Sequence, residues 1–248
     1  MLPEIVVVED EAELARTVAG RFAEHARTSI EARGRFFVAL AGGSTPKAAY
    51  ALLASPAYRD SVAWERVRFF FGDERCVPPQ SDESNYKMAK TAFLEALGIP
   101  EDHVFRMHGE DEPPTAARAY AELLLAELPG PHAPPRFDLV ILGMGPDGHT
   151  ASLFPGTDPL TGDELLVRAP FVEKFGTYRI TLTPRMINAA REVDIATAGP
   201  TKADALSAVL GGSYEPRTYP IQIVNPQDGG LTWLVDRAAA AKLPVKPG

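Results

Sequence analysis

The sequence predicts an α/β fold: one doubly wound, mostly parallel sheet with helices on both faces, spanning residues 1–248 as a single domain. Three observations lead there. Short apolar runs at 4–8, 35–40, 67–71, 137–142, 193–197 and 231–235 alternate with helical stretches along the whole chain. Residues 139–142 (LVIL) are unbroken apolar, the pattern of a strand buried on both faces. Several runs then stop in glycine or charged residues, at the carboxyl ends where open α/β sheets place their ligands.

Each element has its own signals. After the strand 4–8, Asp10 is placed to cap a helix to about Ala32, with Glu11 and Glu13 in its first turn. Leu14, Val18, Phe22 and Ala26 recur on one face of it, and Gly34 ends it. The strand 35–40 runs into Ala41-Gly42-Gly43-Ser44-Thr45-Pro46, where Thr45-Pro46 has the form of an N-cap with proline at the first helical position. A glycine pair ahead of a helix turns free N–H groups and the positive dipole end toward a ligand, so Gly43, Ser44 and Thr45 form a candidate anion-binding turn. The Walker A pattern is absent, and a plain strand-to-helix turn is the other reading.

The strand 67–71 leads into Gly72-Asp73-Glu74-Arg75, and a polar loop ending at Ser84-Asn85-Tyr86 leads into a helix through Leu97. Cys76 has no histidine near it in sequence and reads as a small buried hydrophobe. Residues 113–128 form a helix with Ala116, Tyr120, Leu123 and Leu124 on one side, and the prolines of 129–135 link it to the central strand. Residues 168–174 carry no clear pattern. The strand 179–184 runs into a second Thr-Pro helix start. The strand 193–197 closes at Gly199-Pro200, and Thr201-Lys202 opens a helix to Leu210. At that helix start the Lys202 charge opposes the dipole, which suggests that it answers a bound anion. After the strand 231–235 a short helix follows Arg237.

Composition bounds the function. A chain of 248 residues, 45% hydrophobic and 23% charged, can bury a sizeable core. A net charge of −8 argues against a nucleic-acid partner, so any phosphate must be met by a few placed Arg or Lys. The single cysteine excludes a disulfide framework and fits a cytoplasmic address. No apolar stretch approaches about 18 residues and the start lacks a basic region, so neither a membrane span nor a signal peptide is expected. A monomer or small homo-oligomer is expected.

Chemistry is expected at FDLVILGMGPDGHTASLFPGT, residues 137–157. A buried strand ends there in a glycine-studded loop that delivers Asp147 and His149 to a crevice. Gly143, Gly145 and Gly148 spell G-x-G-x-x-G. Pro146 within the loop and Pro155-Gly156 soon after leave no room for the full helix a dinucleotide site needs, and no acid ends the next strand. We reject a nicotinamide site; these glycines, Gly145 among them, let backbone approach a ligand closely. With Asp73, Arg75, Arg179 and Lys202 joining from other strand ends, the inventory suits a small phosphorylated substrate. Amides, Arg and Lys would hold phosphate, and His149 would move a proton. Asp73, Glu74, Asp147 and His149 could ligate a metal, but they lack a ligand spacing; no metal and no cofactor is expected. A structural imidazole is the plain alternative for His149. His25, His103, His108 and His132 are less persuasive.

Four ordered motifs carry a resemblance that spans nearly the whole chain: LAGGSTP at 40–46, FFGDER at 70–75 with SNY at 84–86, GMGPDGHTASLFPGT at 143–157 and RITLTPRMINAA at 179–190. Together they resemble the family of 6-phosphogluconolactonases and glucosamine-6-phosphate deaminases. The resemblance implies a Rossmann-like fold and hydrolysis of 6-phosphoglucono-1,5-lactone. It places the family's general base on His149, its proton-handling aspartate on Asp73, lactonase arginines on Arg75 and Arg179, and a phosphate-binding lysine on Lys202. Gly43, Ser44 and Thr45 match its phosphate or sugar loop. The deaminases carry an acid before the proline that follows D-G-H; this chain has Phe154 before Pro155, which weakens the deaminase reading. A sugar-phosphate-sensing domain without turnover is a third possibility, but no basic helix-turn-helix accompanies it.

Overall fold

The computed structural model describes residues 3–128, 134–157 and 164–243. In chain order its strands are β1 (Glu4–Val8), β2 (Phe36–Leu40), β3 (Val67–Phe71), β4 (Asp73–Arg75) and β5 (Leu139–Gly143). They continue as β6 (Val167–Arg168), β7 (Phe171–Val172), β8 (Thr177–Leu182), β9 (Glu192–Thr197) and β10 (Gly230–Asp236). The α-helices are α1 (Glu11–Arg33), α2 (Ser44–Leu53), α3 (Asn85–Ala89), α4 (Pro113–Glu127), α5 (Pro184–Asn188) and α6 (Ala203–Gly211). His132 and most of the proline-rich linker lie outside the described residues.

Six strands pair in parallel in the order β1-β10-β9-β5-β2-β3. Period-two alternation explains how helices cover both faces. Phe36, Val38 and Leu40 of β2 enter one core with Phe22 of α1 and Tyr50 of α2, while Phe37 and Ala39 enter the other with Tyr120 of α4. Leu139 and Ile141 of β5 likewise face the first core, Val140 and Leu142 the second. The aromatic run of β3 splits the same way, Phe69 and Phe71 against Phe70.

Local signals account for the ends of α1. Asp10 accepts a hydrogen bond from the Glu13 N–H at 2.7 Å, and Gly34, at φ 79°, donates to the Ile30 carbonyl at 2.8 Å. Thr183 caps α5 by accepting from the Met186 N–H, with Pro184 opening the helix.

Two expectations change. The helix α2 starts at Ser44, so Thr45 is inside its first turn and does not cap it; Gly43 at φ 103° occupies the cap position. Pro46 fits there because the N–H it lacks would have no partner within the helix. The strand expected at 179–184 does not join the parallel sheet. As β8 it pairs antiparallel with β4, β6 and β7, forming a second small sheet. Gly72 joins the two layers: its N–H donates to Leu40 O and its carbonyl accepts from the Leu182 N–H, each at 2.9 Å.

The connection leaving β2 runs to β3 on one side, and that leaving β5 runs to β9 on the other. The chain therefore parts between two adjacent strand ends, which opens a crevice there.

Candidate active site

That crevice holds roughly 270 Å³. Its walls come from the turn after β2 (Gly42, Gly43, Ser44, Thr45), from Asp73 and Arg75 of β4, and from Asn85. The loops after β5 and β9 complete it with Gly145, His149, Thr197 and Lys202. Of the residues expected to catalyse or to bind substrate, Asp147 and Arg179 do not line it; each stands behind a residue that does.

Asp147 stands behind His149. Its Oδ1 is 2.5 Å from His149 Nδ1, and its Oδ2 accepts from Lys174 Nζ at 2.9 Å. Partial burial works against ionisation of Asp147, but the bonds from His149 and Lys174 outweigh it and hold the carboxyl well below the usual range. An ionised Asp147 can only accept, so Nδ1–H donates to it, and Nε2 is the ring nitrogen that forms no hydrogen bond among the described residues. Phe154 stacks on the imidazole with centroids 4.2 Å apart, covering one ring face. Gly145 donates its N–H to His149 O at 2.8 Å, and a Cβ there would fall 2.0 Å from Nδ1. The loop needs glycine at that point because the imidazole lies against its backbone. No helix follows: residues 149–157 form a turn in which Ala151 takes φ 47°.

The opposite wall is positive. The first-turn amides of Ser44 and Thr45 form no hydrogen bond among the described residues, and α2 has no side-chain cap and no acid in its first turn. Lys202, at the cap position of α6, forms no ion pair among the described residues. Burial lowers its pKa, Asp147 raises it and Lys174 lowers it further, with a net fall. Uncapped amides at a positive dipole end, beside a lysine with no ion pair among the described residues, present an arrangement that can receive an anion.

The third wall is built on β4. Asp73 is buried, and its carboxylate accepts from Ser152 Oγ at 2.7 Å and Asn85 Nδ2 at 3.1 Å. Glu74 points the other way and has a structural task. It accepts from the N–H groups of Arg75, Asn85 and Tyr86 and from Ser84 Oγ, at 2.7–3.0 Å, which fixes the 83–86 loop. Arg75 donates to Glu83 O at 2.5 Å. Its register partner Arg179 is buried with Nη1 unpartnered and its guanidinium over Phe175 at 5.1 Å. Among the described residues no group of three or more His, Cys, Asp or Glu is placed to share a metal ion. Cys76 is a free, half-buried thiol packed on the core, its pKa pushed up by burial.

With this geometry in place, the family description "Glucosamine-6-phosphate isomerases/6-phosphogluconolactonase" matches residues 9–233. The chain belongs to this family. Within the family it is 40% identical over 220 residues to the 6-phosphogluconolactonase of Nostoc sp., covering 88% of this chain and 89% of the relative. The structure of the 6-phosphogluconolactonase from Trypanosoma brucei superposes with a TM-score of 0.85 at 31% identity, covering 98% of this chain and 99% of that one. A monomeric glucosamine-6-phosphate deaminase superposes with a TM-score of 0.81 at 18% identity, which establishes shared fold alone. No helix among the described residues is long and apolar enough to cross a membrane.

Four site neighbours escaped residue-by-residue reading. Asn85 and Ser152 sit inside the quoted motifs, but nothing in their type marks them as the partners of Asp73. Phe154 stands out in the sequence only as the absence of an acid, whereas its ring is in contact with His149. Lys174 lies in the patternless stretch 168–174, and only the fold brings it to Asp147.

Proposed function

We propose that this family member hydrolyses 6-phosphoglucono-1,5-lactone to 6-phosphogluconate, a step of the oxidative pentose phosphate pathway, with His149 as the general base. The observation that carries the assignment of the base is the placement of His149. Its Nδ1 is tied to Asp147, its Nε2 forms no hydrogen bond among the described residues, and it lines the same crevice as the α2 amides and Lys202, which have no partner among those residues.

The roles follow from that arrangement. The Ser44 and Thr45 amides with Lys202 take the phosphate, and Arg75 with Arg179 adds charge on the β4 side. This puts the lactone ring between phosphate and imidazole. Water attacks the lactone carbonyl while Nε2 accepts its proton; Asp147 stabilises the imidazolium that forms. As the tetrahedral adduct collapses, the ring C–O bond breaks and the imidazolium returns the proton to the departing ring oxygen. The products are a hydroxyl and a carboxylic acid, which loses its proton to solvent to become the carboxylate, and His149 is again neutral. Asp73, held by Asn85 and Ser152, is placed to orient a sugar hydroxyl or the attacking water. The scheme uses only side chains, amides and water, with no metal. A cytoplasmic location belongs to the same reading, in keeping with the free thiol of Cys76. Phe154 on the imidazole, where the deaminases carry an acid, supports lactone hydrolysis over ring opening with amine release.

Lactone generated in situ by glucose-6-phosphate dehydrogenase should disappear faster with the protein than by spontaneous hydrolysis. His149→Ala should lower kcat by about 10²–10⁴-fold with little change in KM. A wild-type protein that does not exceed the spontaneous rate would overturn this reading, and ammonia release from glucosamine 6-phosphate would replace it.

A further inference from the structure

Lys174 lies outside every motif that pointed to the site, yet its ammonium is 2.9 Å from Asp147 Oδ2 while Oδ1 of the same carboxylate meets His149. It sits in a single 3-10 turn, Glu173–Phe175, closed by Gly176 at φ 60°. The next residue, Phe175, packs edge-on against Phe154 with centroids 5.6 Å apart, and Phe154 is the ring stacked on His149. The same Phe175 lies under the Arg179 guanidinium. One turn therefore touches the carboxylate behind the histidine, the ring beside it and the buried arginine.

We propose that Lys174 is a positioning residue for lactone hydrolysis: it holds Asp147 in the orientation that faces His149 and offsets the carboxylate's charge, keeping the imidazole neutral and ready to take a proton. This rests on His149 being the base. A carboxylate bound to Nδ1 favours the imidazolium, so on its own it would push the base toward the protonated, inactive form. An ammonium on the other carboxylate oxygen opposes that pull, and capture at both oxygens removes the side chain's rotational freedom.

Other charged or titratable groups face the pair without bonding to it. Lys202 approaches from the loop after β9, Asp73 and Arg75 line the crevice from β4, and Glu11 lines it from the start of α1. On the other side Arg118 of α4, Arg168 of β6 and Glu173 line a pocket together with Asp147 and Lys174. Tyr219 packs on Gly148. Among the described residues Lys174 and His149 are the only side chains that form an ion pair with Asp147. The Lys174 side chain is 55% exposed, so the measurement belongs at low ionic strength.

Lys174→Met keeps the aliphatic stem and removes the charge. The acid limb of its kcat/KM profile should move to higher pH by roughly half to one pH unit, with Lys174→Arg restoring most of the wild-type profile. Proton NMR of the His149 ring should show its titration midpoint moving in the same direction, a readout independent of turnover. If both the profile and the ring titration of Lys174→Met superimpose on wild type at low salt, the proposal is overturned. If the wild-type protein proves to have no lactonase activity, the functional reading fails, and the ring titration alone still decides whether Lys174 acts on His149.

Discussion

Arg75 and Arg179 are register partners across β4 and β8, and neither forms a salt bridge among the described residues. Burial lowers the Arg179 pKa and the neighbouring Arg75 adds to that effect, with Asp73 pulling the other way. Two like charges side by side, one with a buried unpartnered donor, are better satisfied when an anion arrives. The arriving anion should draw the guanidinium of Arg179 forward from behind Arg75, so Arg179→Met should raise KM by about tenfold or more, a hydrogen bond to a charged group being worth about 1.5–3 kcal/mol. Arg179→Lys should not restore it, because the planar fork is lost. Steady-state kinetics on the lactone would show this; an unchanged KM in both variants would move the anion elsewhere.

Gly145 offers a test of the imidazole's placement. A Cβ there falls 2.0 Å from His149 Nδ1 and 2.7 Å from Asp147 Oδ1. The ring can swing away, because it is a side chain at the edge of a crevice, but only by breaking its bond to Asp147. Gly145→Ala should therefore lower kcat by about 10²-fold or more while the thermal midpoint stays within a few degrees of wild type. Wild-type kcat in a folded variant would show that the Asp147–His149 contact is not needed.

Lys202 supplies the pH dependence. Its pKa lies below the ordinary lysine value because burial disfavours the ammonium, whereas a bound phosphate dianion favours it. Binding should therefore raise that pKa, with proton uptake in the alkaline range. The sign for affinity follows: 6-phosphogluconate should bind tightly below the free-protein pKa of Lys202 and progressively more weakly as pH rises through it. Calorimetric Kd values at increasing pH would show this limb in wild type. Its persistence in Lys202→Met would assign it to another group.

Glu74 should matter for stability rather than turnover. Its carboxylate accepts from three backbone N–H groups, one buried and two part-buried, and from one buried hydroxyl, so Glu74→Ala leaves four donors without their acceptor. The expected cost is about 3 kcal/mol, or roughly 6–12 °C in the thermal midpoint for a chain of this size. A midpoint within 2 °C of wild type, on the order of the scatter of neutral surface substitutions, would count against this role.

Strands buried on both faces were legible because their apolar runs are continuous, and the Thr183-Pro184 start was legible because the cap is local chemistry. The β4–β8 pairing was not. Three consecutive charged residues, Asp73-Glu74-Arg75, carry no alternation, and their strand exists because β8 supplies its partner bonds from about a hundred residues away. Thr45 misleads for a related reason: Thr-Pro marks a helix start but leaves its register open, and with Gly43 at positive φ as the cap the start lies two residues earlier. The identity of His149 as a candidate came from the loop it sits in. What surrounds it, Lys174 and Phe154 included, depends on tertiary contacts that spacing does not encode.

The place of β1 at the edge, hydrogen-bonded to β10 alone, has a consequence for biosynthesis. β1 therefore pairs with a strand made about 220 residues after it. At about 5–20 residues per second it waits roughly 10–50 s before its partner emerges. During that interval Ile5 and Val7 remain on an open backbone edge of the nascent chain, so this edge of the sheet closes only after β10 has emerged.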